Sequence, residues 1–222
     1  MADKLEFLKQ SPFFAGIEAD KLDVIGRAVF EKMLSKGEPV LDEDSESEPL
    51  YFVAEGVVKI FKISPDGKEQ ILLLMRPGDS FNDVSVFDDG PSPVNAQAMG
   101  AAKLYGIRRG DVEILLQQHP ELSRNVIRIL AGRVRQLISL VEDLSFRSVA
   151  GRVAGILLNN VGTPLEPYRL TQRDIAAMAG TAREVVGRSL KYLEGMRLIE
   201  VRGRQIVIRN KAGLRDMIEP VF

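Results

Sequence analysis

The 222-residue chain has no cysteine, no tryptophan and a single histidine. Without cysteine there is no disulfide, no thiolate zinc site and no cysteine-ligated iron–sulfur cluster. One imidazole, His119, rules out a histidine metal cluster and a His-based catalytic triad of the usual kind. No run approaches eighteen apolar residues, so no membrane-spanning segment is expected. Met1–Gln10 is of mixed charge and does not read as a signal peptide, which favours a soluble, cytoplasmic protein. The adjacent carboxylates Asp88 and Asp89 lie in a turn and no nucleophile–base pair accompanies them, so the chain is not expected to be an enzyme. Neither sign of charge dominates: 30 Lys and Arg face 31 Asp and Glu, a net charge of -1. Taken whole, that balance argues against a nucleic-acid binder.

What is present changes that reading. Residues 147–222 hold 13 Lys and Arg against 7 Asp and Glu, a balance of +6, whereas residues 1–146 stand at -7. An acidic N-terminal part joined to a basic C-terminal part fits a sensor carrying a polyanion-binding module.

Short helical segments are expected near Lys4–Lys9 and Ala19–Val29. Residues 35–108 then have a β texture, with apolar runs Leu50–Val53, Val57–Ile63, Gln70–Met75 and Lys103–Ile107. Glu55-Gly56, Ser64-Pro65-Asp66-Gly67, Arg76-Pro77-Gly78 and Asp88-Asp89-Gly90-Pro91 punctuate them, which predicts a small antiparallel barrel or roll. From Pro120 the period changes. Ile127, Leu130, Val134, Leu137, Val141 and Leu144 recur at alternating steps of 3 and 4, the seam of one long helix that pairs with a second copy of itself.

A helix from about Phe146 to Asn159 follows, and 160–167 is loop by composition. Thr171/Asp174 and Thr181/Glu184 each place a hydroxyl three residues before a carboxylate, two capping-box signals ten residues apart. With Gly180 between them, and with Ile175, Met178, Ala179, Val186, Leu190 and Leu193 facing inward, they predict a helix-turn-helix. Leu198–Arg202 and Gln205–Arg209 flank Gly203-Arg204 as a hairpin, a wing bearing Arg202, Arg204 and Arg209. The expected fold is therefore α+β: a β-roll over 1–118, a dimerisation helix over 119–145 and a winged helix-turn-helix over 146–222.

Three stretches carry a family resemblance: Pro49-Leu-Tyr-Phe-Val-Ala-Glu-Gly56 with Gly67-Lys-Glu-Gln70, the run Leu144 to Val153, and above all Leu170 to Arg188. In this order they resemble the CRP/FNR family of bacterial transcription regulators over nearly the whole chain. The resemblance implies a homodimer that binds double-stranded DNA, acts on RNA polymerase and answers to a small-molecule effector held where roll and dimer helix meet. On the second helix of the motif, Arg183, Glu184 and Arg188 are the expected base readers, because arginine forks onto guanine and a carboxylate accepts from cytosine. The Arg-Glu-x-x-x-Arg arrangement resembles the type that reads a TGTGA-like half-site. Thr171, Arg173, Thr181, Arg202 and Arg204 are the expected phosphate contacts. A regulatory subunit whose winged helix docks a protein is the second reading; the arginine-rich face and wing argue against it, since a protein-docking helix shows more exposed apolar area.

The candidate effector residues are Asn82, Asp83, Ser92, Pro93, Val94, Arg133, Leu137 and Ile138. They depart from the cyclic-AMP-binding branch of the family. Asn82-Asp83 stand where that branch has Gly-Glu, and Ser92-Pro93 or Pro93-Val94 where it has Arg-Ser. Leu137 and Ile138 replace its purine-binding hydroxyls. No Lys or Arg lies between Arg76 and Lys103, while Asp79, Asp83, Asp88 and Asp89 add negative charge. A buried phosphodiester would meet desolvation and like charge there, so cyclic AMP is disfavoured, unless a distant arginine such as Arg133 supplies the cation. Haem remains open, with His119 as the one imidazole that could ligate it, although Gln118-His119-Pro120 also reads as loop punctuation. A small apolar or aromatic effector, or none, is equally compatible.

Overall fold

The computed structural model describes residues 2–46, 49–161, 170–203 and 205–218. Helices α1 (Ala2–Gln10) and α2 (Ala19–Ala28) open the chain, with a 3-10 turn at Pro12–Phe14 between them. Strands β1 (Val29–Leu34), β2 (Pro39–Leu41), β3 (Leu50–Glu55), β4 (Val58–Ile63), β5 (Glu69–Met75), β6 (Ser80–Phe81), β7 (Asn95–Ala98) and β8 (Ala102–Ile107) build two sheets. Their orders are β1-β8-β3-β6 and β2-β7-β4-β5. Val29 belongs to β1 and not to the preceding helix as the sequence suggested. Its backbone begins the antiparallel ladder that runs from Val29↔Ile107 to Leu34↔Ala102.

Two apolar clusters hold the roll. One, lined by Leu34, Val53, Val58, Ile60, Phe81 and Leu104, fills the space between sheets. The other gathers Leu8, Phe13, Phe14, Phe52 and Tyr105 under the N-terminal helices. Phe52 is its hub, edge-on to Phe13 at 5.1 Å. Each such fully buried large side chain stabilises the fold by about 1.5–3 kcal/mol relative to exposure.

Between β6 and β7 lies the short helix α3 (Asp83–Asp88), and after β8 comes α4 (Arg109–Gln118), which the sequence pattern did not reveal. The long helix α5 (Pro120–Phe146) starts on a proline, whose missing N–H costs nothing at a helix N-terminus. Its first turns bury Leu122, Asn125 and Val126. The Asn125 carboxamide donates to the carbonyls of Phe13 (3.0 Å) and Ala15 (2.8 Å), pinning the start of α5 to the roll.

The chain divides into two compact units, Met1–Lys62 with Leu73–Arg135, and Ile63–Leu72 with Gln136–Phe222. The second contains the end of α5, α6 (Val149–Asn160), α7 (Gln172–Ala179), α8 (Arg183–Gly195), the hairpin β9 (Ile199–Arg202) and β10 (Gln205–Ile208), and α9 (Lys211–Asp216). The helix expected from Phe146 starts later: α5 runs through Phe146, and the Ser148 hydroxyl caps α6 by accepting from the Gly151 N–H. Asn160 ends α6, and most of the expected 160–167 loop lies outside the described residues. Val153, Leu157, Ile175, Val186, Leu190, Leu193 and Leu214 form one core. Gly151 is required there, because a Cβ would stand 2.7 Å from the Met217 carbonyl oxygen. No helix among the described residues is long and apolar enough to cross a membrane.

Candidate nucleic-acid interface

Helix α7 is started by a complete capping box. The Thr171 hydroxyl accepts from the Asp174 N–H (3.2 Å), and the Asp174 carboxylate accepts from the Thr171 N–H (2.8 Å). It ends at Gly180, whose φ of +60° is left-handed and whose Cβ, were there one, would stand 2.9 Å from both Gln70 and Leu144. The turn into α8 departs from the sequence expectation. Thr181 is not the cap: its N–H is taken by the Ala176 carbonyl (3.1 Å), so it still closes the preceding helix, and the cap falls on Ala182, which offers no side-chain hydrogen bond. Two identical spacings thus serve different ends, because α8 starts at Arg183 and leaves Thr181 one position before the cap.

Helix α8 buries Val186, Ser189, Leu190 and Leu193 and leaves Arg183, Glu184 and Arg188 exposed. All three expected base readers therefore share the free side of one helix. Arg173, in the first turn of α7, is exposed as well. Thr171 is less free than the sequence implied, since its hydroxyl also donates to Asp174 (2.6 Å) and has no second proton for a phosphate.

On the wing, Arg202 forks onto Glu200 (Nε–Oε1 2.7 Å, Nη2–Oε2 3.2 Å), and Arg209 donates through Nε to the same carboxylate (2.8 Å). Hydrogen bonds from Arg202 and then Arg209 pull the Glu200 carboxyl down to about 2. Arg202 spends two of its five N–H donors on Glu200, which offsets its charge and fixes its direction, and Arg204 lies outside the described residues. Glu200 is the wing residue that sequence reading missed. Its spacing of two from Arg202 in a strand, which puts both on one face, was the available signal.

In the roll, Asn82 caps α3 in the left-handed region (φ 69°), and its amide donates to the Pro49 carbonyl (3.0 Å). Asp83 is 2% exposed and is ion-paired with the Arg133 guanidinium, which also donates to the Ser80 carbonyl. The Ser80 hydroxyl donates to Asp83 (3.1 Å). Burial raises the Asp83 carboxyl above its ordinary range even though Arg133 and Ser80 draw it down, and burial raises Asp79 similarly. Ser92 is buried, its hydroxyl on the Val94 carbonyl (2.9 Å). The Pro93 carbonyl accepts from Lys62 (3.0 Å), which is itself paired with Glu43. Lys62 is a cation that the sequence order gave no reason to place beside Pro93. His119 forms the end of α4, its N–H on Leu115 O (2.8 Å) and its carbonyl taken by the Leu122 N–H (3.0 Å), which is the punctuating role.

Of the seam residues, Ile127, Val134, Leu137, Val141 and Leu144 are exposed along α5, as are Ile138 and Phe146. Val141, for instance, is 61% exposed. Leu130 is the exception, half-buried against the roll cluster that contains Leu122 and Val126.

Comparison with known proteins agrees with this arrangement. Residues 31–119 match the cyclic nucleotide-binding domain and residues 151–217 the Crp-like helix-turn-helix domain. The cAMP-activated global transcriptional regulator CRP of Pasteurella multocida is 32% identical over 171 residues, 73% of this chain and 82% of that protein. The chain belongs to the CRP/FNR family. A CRP-like cAMP-activated global transcriptional regulator of Mycobacterium tuberculosis is 29% identical over 217 residues, 94% of this chain and 97% of that one. The solved structure of FixK2 from Bradyrhizobium japonicum superposes with a TM-score of 0.77 at 27% identity, covering 87% of this chain and 99% of that one. The protein is accordingly a DNA-binding transcription regulator with an effector-binding domain, and not an enzyme.

The family's cyclic-nucleotide domain raises the question of fit. Here the Arg133 cation beside Asp83 is already engaged. The one guanidinium that reaches Asp83 is already committed to that buried carboxylate and to Ser80, and residues 77–102 contain no Lys or Arg. A phosphodiester at this point would have to compete with Asp83 for Arg133 while facing Asp79.

Proposed function

We propose that this CRP/FNR regulator works as a homodimer on a TGTGA-like palindrome, under the control of an effector seated around Ser80, Asp83 and Arg133. The exposed constellation Arg183, Glu184 and Arg188 on α8 supports the base readout most directly. Two such helices, related by a twofold axis, suit two half-sites spaced by whole turns of duplex. Arg173 and the wing arginines supply phosphate contacts beside them, and RNA polymerase is the partner through which a promoter-bound regulator acts. The second reading, a protein-docking winged helix, finds less support in an α8 face where Arg183, Glu184, Arg188 and Lys191 are exposed and Tyr192 is the large aromatic among them.

The test is a binding titration over a range of salt concentrations with a TGTGA palindrome and a scrambled duplex of equal length. The expected result is tighter binding to the palindrome and a linear loss of log affinity with log salt, steeper the more phosphates are neutralised. Equal affinity for both duplexes would sink the half-site assignment. Because the Asp83 environment does not suit a cyclic phosphate, cyclic AMP is expected to leave the isotherm unchanged; a tighter isotherm in its presence would overturn that part.

The dimer rests on the apolar stripe of α5. Val134, Val141 and Phe146 are 56%, 61% and 78% exposed in the single chain, more apolar surface than one helix leaves to water without a partner. Val141→Glu puts two carboxylates against each other across the seam. Sedimentation should then show the mass fall from dimer to monomer, with the far-ultraviolet spectrum retained. A variant that stays dimeric would place the interface elsewhere.

A further inference from the structure

Arg152 stands in the first turns of α6. Its guanidinium Nε donates to the Ala179 carbonyl (2.8 Å) and its Nη1 to the Arg147 carbonyl (2.8 Å). Both acceptors are helix ends. Ala179 is the last residue of α7, immediately before Gly180. Arg147 follows α5, and its N–H still bonds back to the Asp143 carbonyl (3.2 Å), so the α5 ladder closes there. The last carbonyls of a helix have no partner within it, and together they carry a partial negative charge. The guanidinium donates from two different nitrogens held in one plane, a fixed geometry that the single nitrogen of an ammonium does not reproduce.

The surroundings brace this link. The Arg147 side chain pairs with Asp143 on α5 (2.5 Å). Asp143 is raised by burial and drawn back down by Arg147 and Arg152. On the other side the left-handed Gly180 packs against Leu144 and Gln70, and the Gln70 amide approaches the Met178 carbonyl (3.4 Å). The turn leading into α8 is therefore held to the end of α5 by the packing of Leu144 and by the two hydrogen bonds of Arg152.

We propose that Arg152 is the positioning residue for DNA readout: it sets the helix-turn-helix against the end of α5, so that base recognition by α8 depends on a side chain that touches no DNA. Arg152 acts through the placement of α8 and not through its own charge. This rests on the chain being a DNA-binding regulator, but not on which half-site it reads.

The full-length protein is compared with Arg152→Gln and Arg152→Lys, on a duplex selected by the wild type from a randomised pool and on a scrambled duplex of equal length. The thermal melt of each variant is recorded beside its binding. In Arg152→Gln, affinity for the selected duplex should fall about tenfold or more, affinity for the scrambled duplex should change little, and the salt slope should stay at the wild-type value. Arg152→Lys keeps the charge but replaces two nitrogens fixed in one plane by a single nitrogen, so it should lose most of the same discrimination. Amide exchange at Gly180 and Thr181, the α7–α8 turn, should quicken while Val153 and Leu190 keep their protection. Unchanged discrimination in a folded Arg152→Gln overturns the proposal, as does full recovery by lysine. An equal loss on both duplexes with the slope reduced by about 1.8, one phosphate for each protomer of the dimer, would make Arg152 a phosphate contact instead. Should Arg152→Gln fail to fold, the lysine variant decides. A wild type that selects no duplex sinks the DNA reading, and the exchange measurement still judges the link.

Discussion

Arg188→Ala is expected to cut discrimination between the palindrome and scrambled DNA sharply while leaving the protein folded and dimeric. Arg188 is exposed on α8, one turn beyond Glu184, and makes no contribution to the core formed by Val186, Leu190 and Leu193. A bidentate arginine–guanine pair discriminates by about 1–3 kcal/mol. A twofold complex contains it twice, so the loss is about 2–6 kcal/mol, a fall in specific affinity of roughly thirtyfold to ten-thousandfold. The salt slope should be nearly unchanged, because a base contact releases no phosphate counterion. Arg173→Gln makes the contrast: affinity should fall on every duplex alike and the slope should shrink. Selection from a randomised pool checks both, since Arg188→Ala should lose its preference at one guanine per half-site. Uniform weakening by Arg188→Ala would move it to the backbone.

The second large effect is on stability. Arg133→Met should destabilise the roll by about 3–5 kcal/mol, because removing one partner of a buried pair strands the other charge away from water. Asp83, 2% exposed, is the stranded group. Its carboxyl is raised above the ordinary value of 3.8 by burial even with Arg133 in place. A folded state with a raised carboxyl pKa holds more protons than the unfolded chain in the window above 3.8, so its stability falls as pH rises through the folded pKa. Without Arg133 that pKa rises further and the window widens upward. The deficit of Arg133→Met should therefore be greatest near neutrality and shrink on acidification towards 3.8, measured by urea unfolding at several pH values. The double variant Arg133→Met with Asp83→Asn, which removes the charge as well, should recover most of the loss. A single variant as stable as the wild type at neutral pH would show that the pair contributes nothing.

These two sites differ in how far they could be read before the structure. Arg183, Glu184 and Arg188 stand out because helix periodicity separates them from Val186 and Leu190, and periodicity is a local property of the chain. The Asp83–Arg133 pair joins residues fifty apart. The absence of cations near Asp83 was visible in the sequence, whereas the arrival of Arg133 on Ser80 and Asp83 required knowing where α5 passes the roll. Lys62 beside Pro93 and Arg152 between two helix ends belong to the same class, since each donor meets carbonyls that no residue type announces.

The near-zero net charge, divided into an acidic sensor and a basic winged helix, was decided by sequence alone. So were the exclusion of cysteine chemistry, the apolar seam of α5 and the capping box at Thr171. Each depends on residue identity and short-range spacing. Tertiary structure decided the rest: that Thr181 closes α7 and α8 takes Ala182 as its cap; that Arg202 is held by Glu200; and that Asp83 keeps the guanidinium a phosphate would need. In every one of these cases the outcome turns on which groups the folded backbone brings within reach of one another.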